Sequence, residues 1–89
     1  MSTQEPAPDL GVITDGIREL AAKHFKVDPA TLSPATNFRD DLRADSLDLV
    51  LLVHEVEERF HVVVGQEDLV KVKTLADAVE IVARSPRSK

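Results

Sequence analysis

The 89-residue chain carries 16 Asp and Glu against 11 Lys and Arg, a net charge of −5, with no cysteine and three Phe as its only aromatics of the Phe, Tyr and Trp set. A chain this short hides only about 60–65% of its unfolded surface, so it forms one small domain without a deep two-lobed cavity. The acidity argues against nucleic acid, whose phosphates are held mainly by Lys and Arg, and favours basic partners.

The missing cysteine removes both a disulfide framework and a thiolate metal site. The longest strictly apolar run, Leu49 to Val53, is five residues, where a membrane span needs about 20. No membrane association is expected.

Met1 to Asp9 is polar, contains Pro6 and Pro8 and has no period, which predicts a disordered tail over residues 1–9. It holds no Lys or Arg and no apolar run, so it resembles neither a secretory signal nor a transit peptide, and the cytoplasm is the expected location. From Leu10 onward, Leu10, Ile13, Ile17, Leu20, Ala21 and His24 recur at helical spacing, opposite Arg18, Glu19 and Lys23. This is the first predicted helix, bounded by Pro29. Gly11 and Gly16 weaken it by about 1 kcal/mol each relative to Ala, so packing has to hold it together.

Residues 26–45 contain Pro29, Pro34 and Asn37 and show no sustained period, which predicts a long loop pinned to the core by Leu32, Phe38 and Leu42. Asp45-Ser46 then offers N-cap chemistry, and the second helix is expected from Ser46 to Phe60. Val62 to Val64 has strand propensity but no partner strand, so it reads as an extended, partly buried connection. Gly65-Gln66-Glu67-Asp68 leads into a short third helix reaching about Val70. Thr74-Leu75-Ala76-Asp77 resembles a capping box ahead of Leu75, Ala78, Val79 and Val82, the fourth helix. Ser85 to Lys89 reads as a disordered tail.

The pattern predicts an all-α fold, a four-helix bundle with a short third helix and a long loop between helices one and two. The domain is expected over residues 10–84. Met1 and the short polar tails suggest a free-standing protein, with an excised domain as the alternative of similar appearance, and a monomer is expected.

The second helix has two apolar faces. At about 100° per residue, Leu49, Leu52, Val53, Val56 and Phe60 fall on one broad stripe suited to the core. Leu47, Val50 and Leu51 fall on another, together with His54 and Glu58. Either this helix is buried on two sides, or the second strip is a protein-binding surface rimmed by charge. The charge distribution favours the surface. From Arg39 to Glu58 there are seven acids and two bases, a net of −5, while the other 69 residues hold nine of each.

Asp40-Asp41-Leu42-Arg43-Ala44-Asp45-Ser46-Leu47-Asp48 resembles the signature of the acyl carrier protein family, an Asp-Ser-Leu preceded by a leucine-glycine-alanine type of turn. The resemblance extends over about residues 10–83, through Glu57-Glu58-Arg59-Phe60 and Lys73-Thr74-Leu75. It implies that Ser46 is the attachment point for 4′-phosphopantetheine, added from coenzyme A by a phosphopantetheinyl transferase. The terminal thiol of that arm would carry acyl groups as thioesters and deliver them to enzymes of fatty-acid, polyketide or specialised lipid biosynthesis.

It further implies docking of acyl-loading and acyl-processing enzymes, through basic patches, on Asp45, Leu47, Asp48, Val50, Leu51, His54, Glu57 and Glu58. The helix N-terminus favours an anion on Ser46, although Asp45 and Asp48 work against it. Arg43 stands where glycine is common, which predicts a less tight turn. Leu51, His54 and Gly65 also depart from the family pattern, and these departures bear on partner identity rather than on the carrier role.

Two rival readings use the same residues. A peptidyl or aminoacyl carrier has the same arm but usually His or a neutral residue at Asp45, and an adaptor would bind through Leu47, Val50 and Leu51 without the arm. Intrinsic catalysis is not expected. Ser46 and His54 lie eight residues apart on one helix, about 12 Å by rise, and no nucleophile elbow surrounds Ser46. His24, His54 and His61 lack metal-ligand spacing, so no metal is expected, and His24 reads as a packing or capping residue at the end of helix one.

Overall fold

A computed structural model of the chain describes residues 9–86. Its helices are α1 (Leu10–Phe25), α2 (Ser46–Phe60), α3 (Gln66–Leu69) and α4 (Leu75–Arg84), with a 3-10 turn at Pro29–Thr31 and no strand among the described residues. This is the expected all-α bundle, with the short third helix and the long first connection in place.

Asp9 caps α1 by accepting from the Gly11 amide at 2.8 Å. Ile13, Ile17 and Ala21, at helical spacing, form its buried face against α4 and α2. Gly16 is buried too, and a Cβ at this position would collide with Cζ of Phe60. The glycine that weakens α1 in isolation therefore admits the α2 ring against the α1 backbone.

The long loop is packed. Leu32 and Phe38 are buried, Leu42 is half-buried, and Phe38 stacks on Phe25 at 6.5 Å. The Phe38 amide donates to Lys73 O at 2.9 Å, while the Leu75 and Ala76 amides donate to Thr36 O and Pro34 O, each at 3.0 Å. These bonds tie the middle of the loop to the start of α4 and satisfy backbone groups that burial would otherwise leave unpaired.

Val62 is buried and Val63 exposed, in an extended connection whose Val63 amide donates to Pro86 O at 2.9 Å. Ser85 Oγ donates to Ile81 O at 2.6 Å. The first two residues of the expected tail over 85–89 are thus tied to the domain, and 87–89 lie outside the described residues. Of the expected N-terminal tail over 1–9, only the capping Asp9 is described.

The capping box at α4 forms: Thr74 Oγ1 accepts from the Asp77 amide at 3.2 Å, and Asp77 Oδ2 accepts from the Thr74 amide at 3.1 Å. Leu75, Ala78, Val79, Ile81 and Val82 then fill the core side of α4.

Candidate functional site

Ser46 is the first residue of α2 and is exposed where the loop turns into the helix. The approach to it is fixed locally. Asn37 Oδ1 accepts from the Arg39 and Asp40 amides at 2.9 and 2.8 Å, and Asp41 Oδ2 accepts from the Asn37 amide at 2.8 Å. Inside this turn Arg43 takes φ 60°. At the position where glycine is common, the arginine itself adopts the left-handed conformation, at a cost of about 1–2 kcal/mol.

Asp45 and Asp48 form a reciprocal capping box. Oδ1 of Asp45 accepts from the Asp48 amide at 2.9 Å, and Oδ2 of Asp48 accepts from the Asp45 amide at 3.1 Å. The other Asp48 oxygen lies 3.2 Å from His24 Nε2 in the last turn of α1. The Asp45 amide, and after it His24, hold the Asp48 carboxyl below its ordinary value. His24 is therefore more than a packing residue, since it links the end of α1 to the cap of α2.

Ser46 Oγ accepts from Arg39 Nη2 at 3.3 Å. Neither this contact nor the His24 contact was visible in sequence. Both cross an irregular loop, and no periodicity relates positions 39 and 46 or 24 and 48.

Of the two readings of α2, burial on two sides does not occur within this chain. Leu49, Leu52 and Val56 are buried, whereas Leu47, Val50 and Leu51 are 63%, 46% and 47% exposed. His54, Glu55 and Glu58 are exposed as well. Glu57 is half-buried instead, and its Oε2 accepts from the Val64 amide at 2.8 Å, holding the connection after α2. The expected residues thus divide into three: Asp45, Ser46 and Asp48 at the helix start; Leu47, Val50, Leu51, His54 and Glu58 along one open strip; and Glu57 turned toward the chain that follows.

Beneath α2, Ile17, Leu52, Val56 and Val82 help line an apolar cavity of about 20 Å³, room for roughly one water and no more. Among the described residues no cluster of His, Asp and Glu could hold a metal ion, and no helix is long and apolar enough to cross a membrane.

Residues 15–82 match the family model described as "Phosphopantetheine attachment site". The chain is also 41% identical over 70 residues to the acyl carrier protein of Rubrobacter xylanophilus, covering 79% of this chain and 86% of that protein. The chain belongs to the acyl carrier protein family. The acyl carrier proteins of Brachyspira hyodysenteriae and Lactobacillus acidophilus are 38% and 37% identical to it, each over 79% of this chain and over 91% and 88% of their own. A solved structure of the acyl carrier protein from Enterococcus faecalis matches with a TM-score of 0.73 at 25% identity, covering 85% of this chain and 96% of that one. As an acyl carrier protein, the chain has 4′-phosphopantetheine as its covalent prosthetic group and works with a phosphopantetheinyl transferase and acyl-processing enzymes.

Proposed function

We propose that Ser46 carries the 4′-phosphopantetheine and that the open strip of α2 presents the loaded carrier to basic partner enzymes. The observation behind the assignment is how the hydroxyls are used. Thr14 and Thr31 donate to backbone carbonyls at 2.7 Å and Ser85 does so at 2.6 Å. Thr74 caps α4, while Ser33 and Thr36 face each other at 3.5 Å. Among the described hydroxyls, that of Ser46 is exposed and bonded only to a guanidinium.

The residues around Ser46 fit the group. The first amides of a helix lack intrahelical acceptors and favour an anion, and Arg39 adds a cation on the same oxygen. In a chain without cysteine, the group supplies the thiol on which acyl cargo rides as a thioester. Arg39 cannot take a proton from Ser46, because a guanidinium has no acceptor site. In this reading Ser46 is the substrate of a transferase, and the chain itself catalyses nothing.

Leu47, Val50 and Leu51 supply apolar contact, with Glu58 and His54 at the rim and Asp45 and Asp48 shaping the helix start. We read the carrier as a cytoplasmic monomer, in keeping with a charge of −5 that disfavours self-association. Intact-mass analysis after incubation with coenzyme A and a promiscuous transferase tests the assignment. Wild type should gain one phosphopantetheine and Ser46→Ala none; equal gain by the variant would move the attachment elsewhere.

A further inference from the structure

We propose that Arg39 holds the phosphodiester that joins the prosthetic group to the chain, a positioning role that rests on Ser46 being the attachment point. The capping box creates the need for such a residue. Modification joins Ser46 Oγ to the phosphopantetheinyl phosphorus of coenzyme A as the pyrophosphate bond breaks, releasing the hydroxyl proton and adenosine 3′,5′-bisphosphate. The phosphodiester formed adds one negative charge next to the Asp45 and Asp48 carboxylates. Both of those carboxylates are engaged with backbone amides at 2.9 and 3.1 Å and cannot turn away without uncapping the helix. A cation beside Oγ offsets the repulsion, and Arg39 is already there, with Nη2 at 3.3 Å.

Its other bonding options point the same way. The ion pairs among the described residues are Arg18 with Asp15, Arg59 with Glu19 and Arg84 with Asp68, and Asp48 is in contact with His24. Arg39 is in none of them, despite Asp40 and Asp41 following it directly in the chain. A guanidinium carries five N–H donors in a planar fork that matches paired phosphate oxygens. Here one donor meets a neutral hydroxyl, and the phosphoryl oxygens would arrive two bonds beyond that hydroxyl's oxygen, on the phosphorus it bears. The existing contact already has a charged donor; modification supplies charged acceptor oxygens beside it, so the guanidinium can exchange a bond to a neutral hydroxyl for an ion pair with the phosphodiester. The side chain also starts from a fixed point, because the Arg39 amide is held by Asn37 Oδ1 at 2.9 Å.

The test compares apo and holo forms of wild type, Arg39→Gln and Arg39→Lys, each loaded to completion and checked by intact mass. In holo wild type, the phosphorus-31 resonance should be displaced from that of the same protein unfolded in urea. It should move toward that position as NaCl rises to about 1 M, where the Debye length is about 3 Å. In holo Arg39→Gln the resonance should stand near the unfolded position even at low salt.

Loading should also lower the Tm of Arg39→Gln by about 2–6 °C more than it lowers that of wild type, as expected for one exposed charge pair in a domain this small. Arg39→Lys keeps the charge and should recover at least half of that difference. Comparing apo with holo within each variant cancels any effect of the substitution on the unmodified fold. No added mass on wild type, or equal mass on Ser46→Ala, would overturn the Ser46 assignment and this proposal with it. Full loading with the same resonance, salt response and Tm change in wild type and Arg39→Gln would overturn the role of Arg39 alone.

Discussion

Arg43 takes φ 60° in the turn that delivers Ser46, and Lys26 and His61 close α1 and α2 at φ 59° and 57°, while none of the glycines has a positive φ. Glycine adopts this conformation without the penalty an L side chain incurs, but gives up more chain entropy on folding. Arg43→Gly should therefore gain slightly, raising Tm by about 2–6 °C in thermal unfolding. Arg43→Val, β-branched and poorly suited to positive φ, should lower it. A Tm for Arg43→Gly below that of wild type would mean that the arginine contributes more than its backbone costs. Asp48 makes a second prediction at the same scale. The Asp45 amide and His24 favour its ionised form and lower its native value. A carboxyl lowered in this way adds stability above its unfolded value and loses it as pH falls through the native one. The stability gap between wild type and Asp48→Asn should be widest near neutrality and shrink as pH drops through and below the ordinary carboxylate range. A gap independent of pH in urea melts would remove the link.

At the scale of elements, the helices were legible because each declares itself locally. Ile13, Ile17 and Ala21 set the buried face of α1, and Asp45-Ser46 and Thr74-Leu75-Ala76-Asp77 mark the starts of α2 and α4 by capping chemistry that the structure reproduces. The connections were less legible, since their stabilising bonds are non-local. Nothing in residues 62–64 names Pro86 O as the acceptor for Val63, and nothing in the long loop names Lys73 O as the acceptor for Phe38. Gly16 shows the same division. Local propensity marks it as a weakness, but its reason lies on α2, in the Phe60 ring. Gly16→Ala should gain about 1 kcal/mol of helix propensity and lose about 1–3 kcal/mol to overpacking, for a net destabilisation of about 1 kcal/mol. In a Phe60→Leu background the same change should become neutral or stabilising. The two substitutions are predicted to couple by at least about 0.5 kcal/mol, and additive urea midpoints would show that the ring and the glycine do not share the space.

For the whole molecule, the sequence localises the excess negative charge between Arg39 and Glu58, and the structure divides that charge by use. Asp41, Asp45, Asp48 and Glu57 each accept a backbone amide that shapes the loop, the helix start or the chain after α2. Asp40, Glu55 and Glu58 make no such bond among the described residues. Sequence reasoning could count the acids but not separate the two groups, because the separation depends on which carboxylate reaches which amide across the fold. Asp48 and Glu58 are both expected docking residues, but the capping role makes Asp48 a poor probe, since its substitution disturbs the helix itself. Glu58 shares the open strip with Leu47, Val50 and Leu51, so charge reversal there isolates docking. Glu58→Lys should leave Tm within about 2 °C of wild type, as surface substitutions usually do. It should lower kcat/KM for modification by a transferase severalfold at low salt and flatten the dependence of that rate on ionic strength, because a rim charge acts mainly on encounter. Asp48→Lys should lower both Tm and kcat/KM. If Glu58→Lys reacts at the wild-type rate at low salt, the basic partner does not approach over this strip, and the apolar contacts of Leu47, Val50 and Leu51 would have to orient the encounter without electrostatic help.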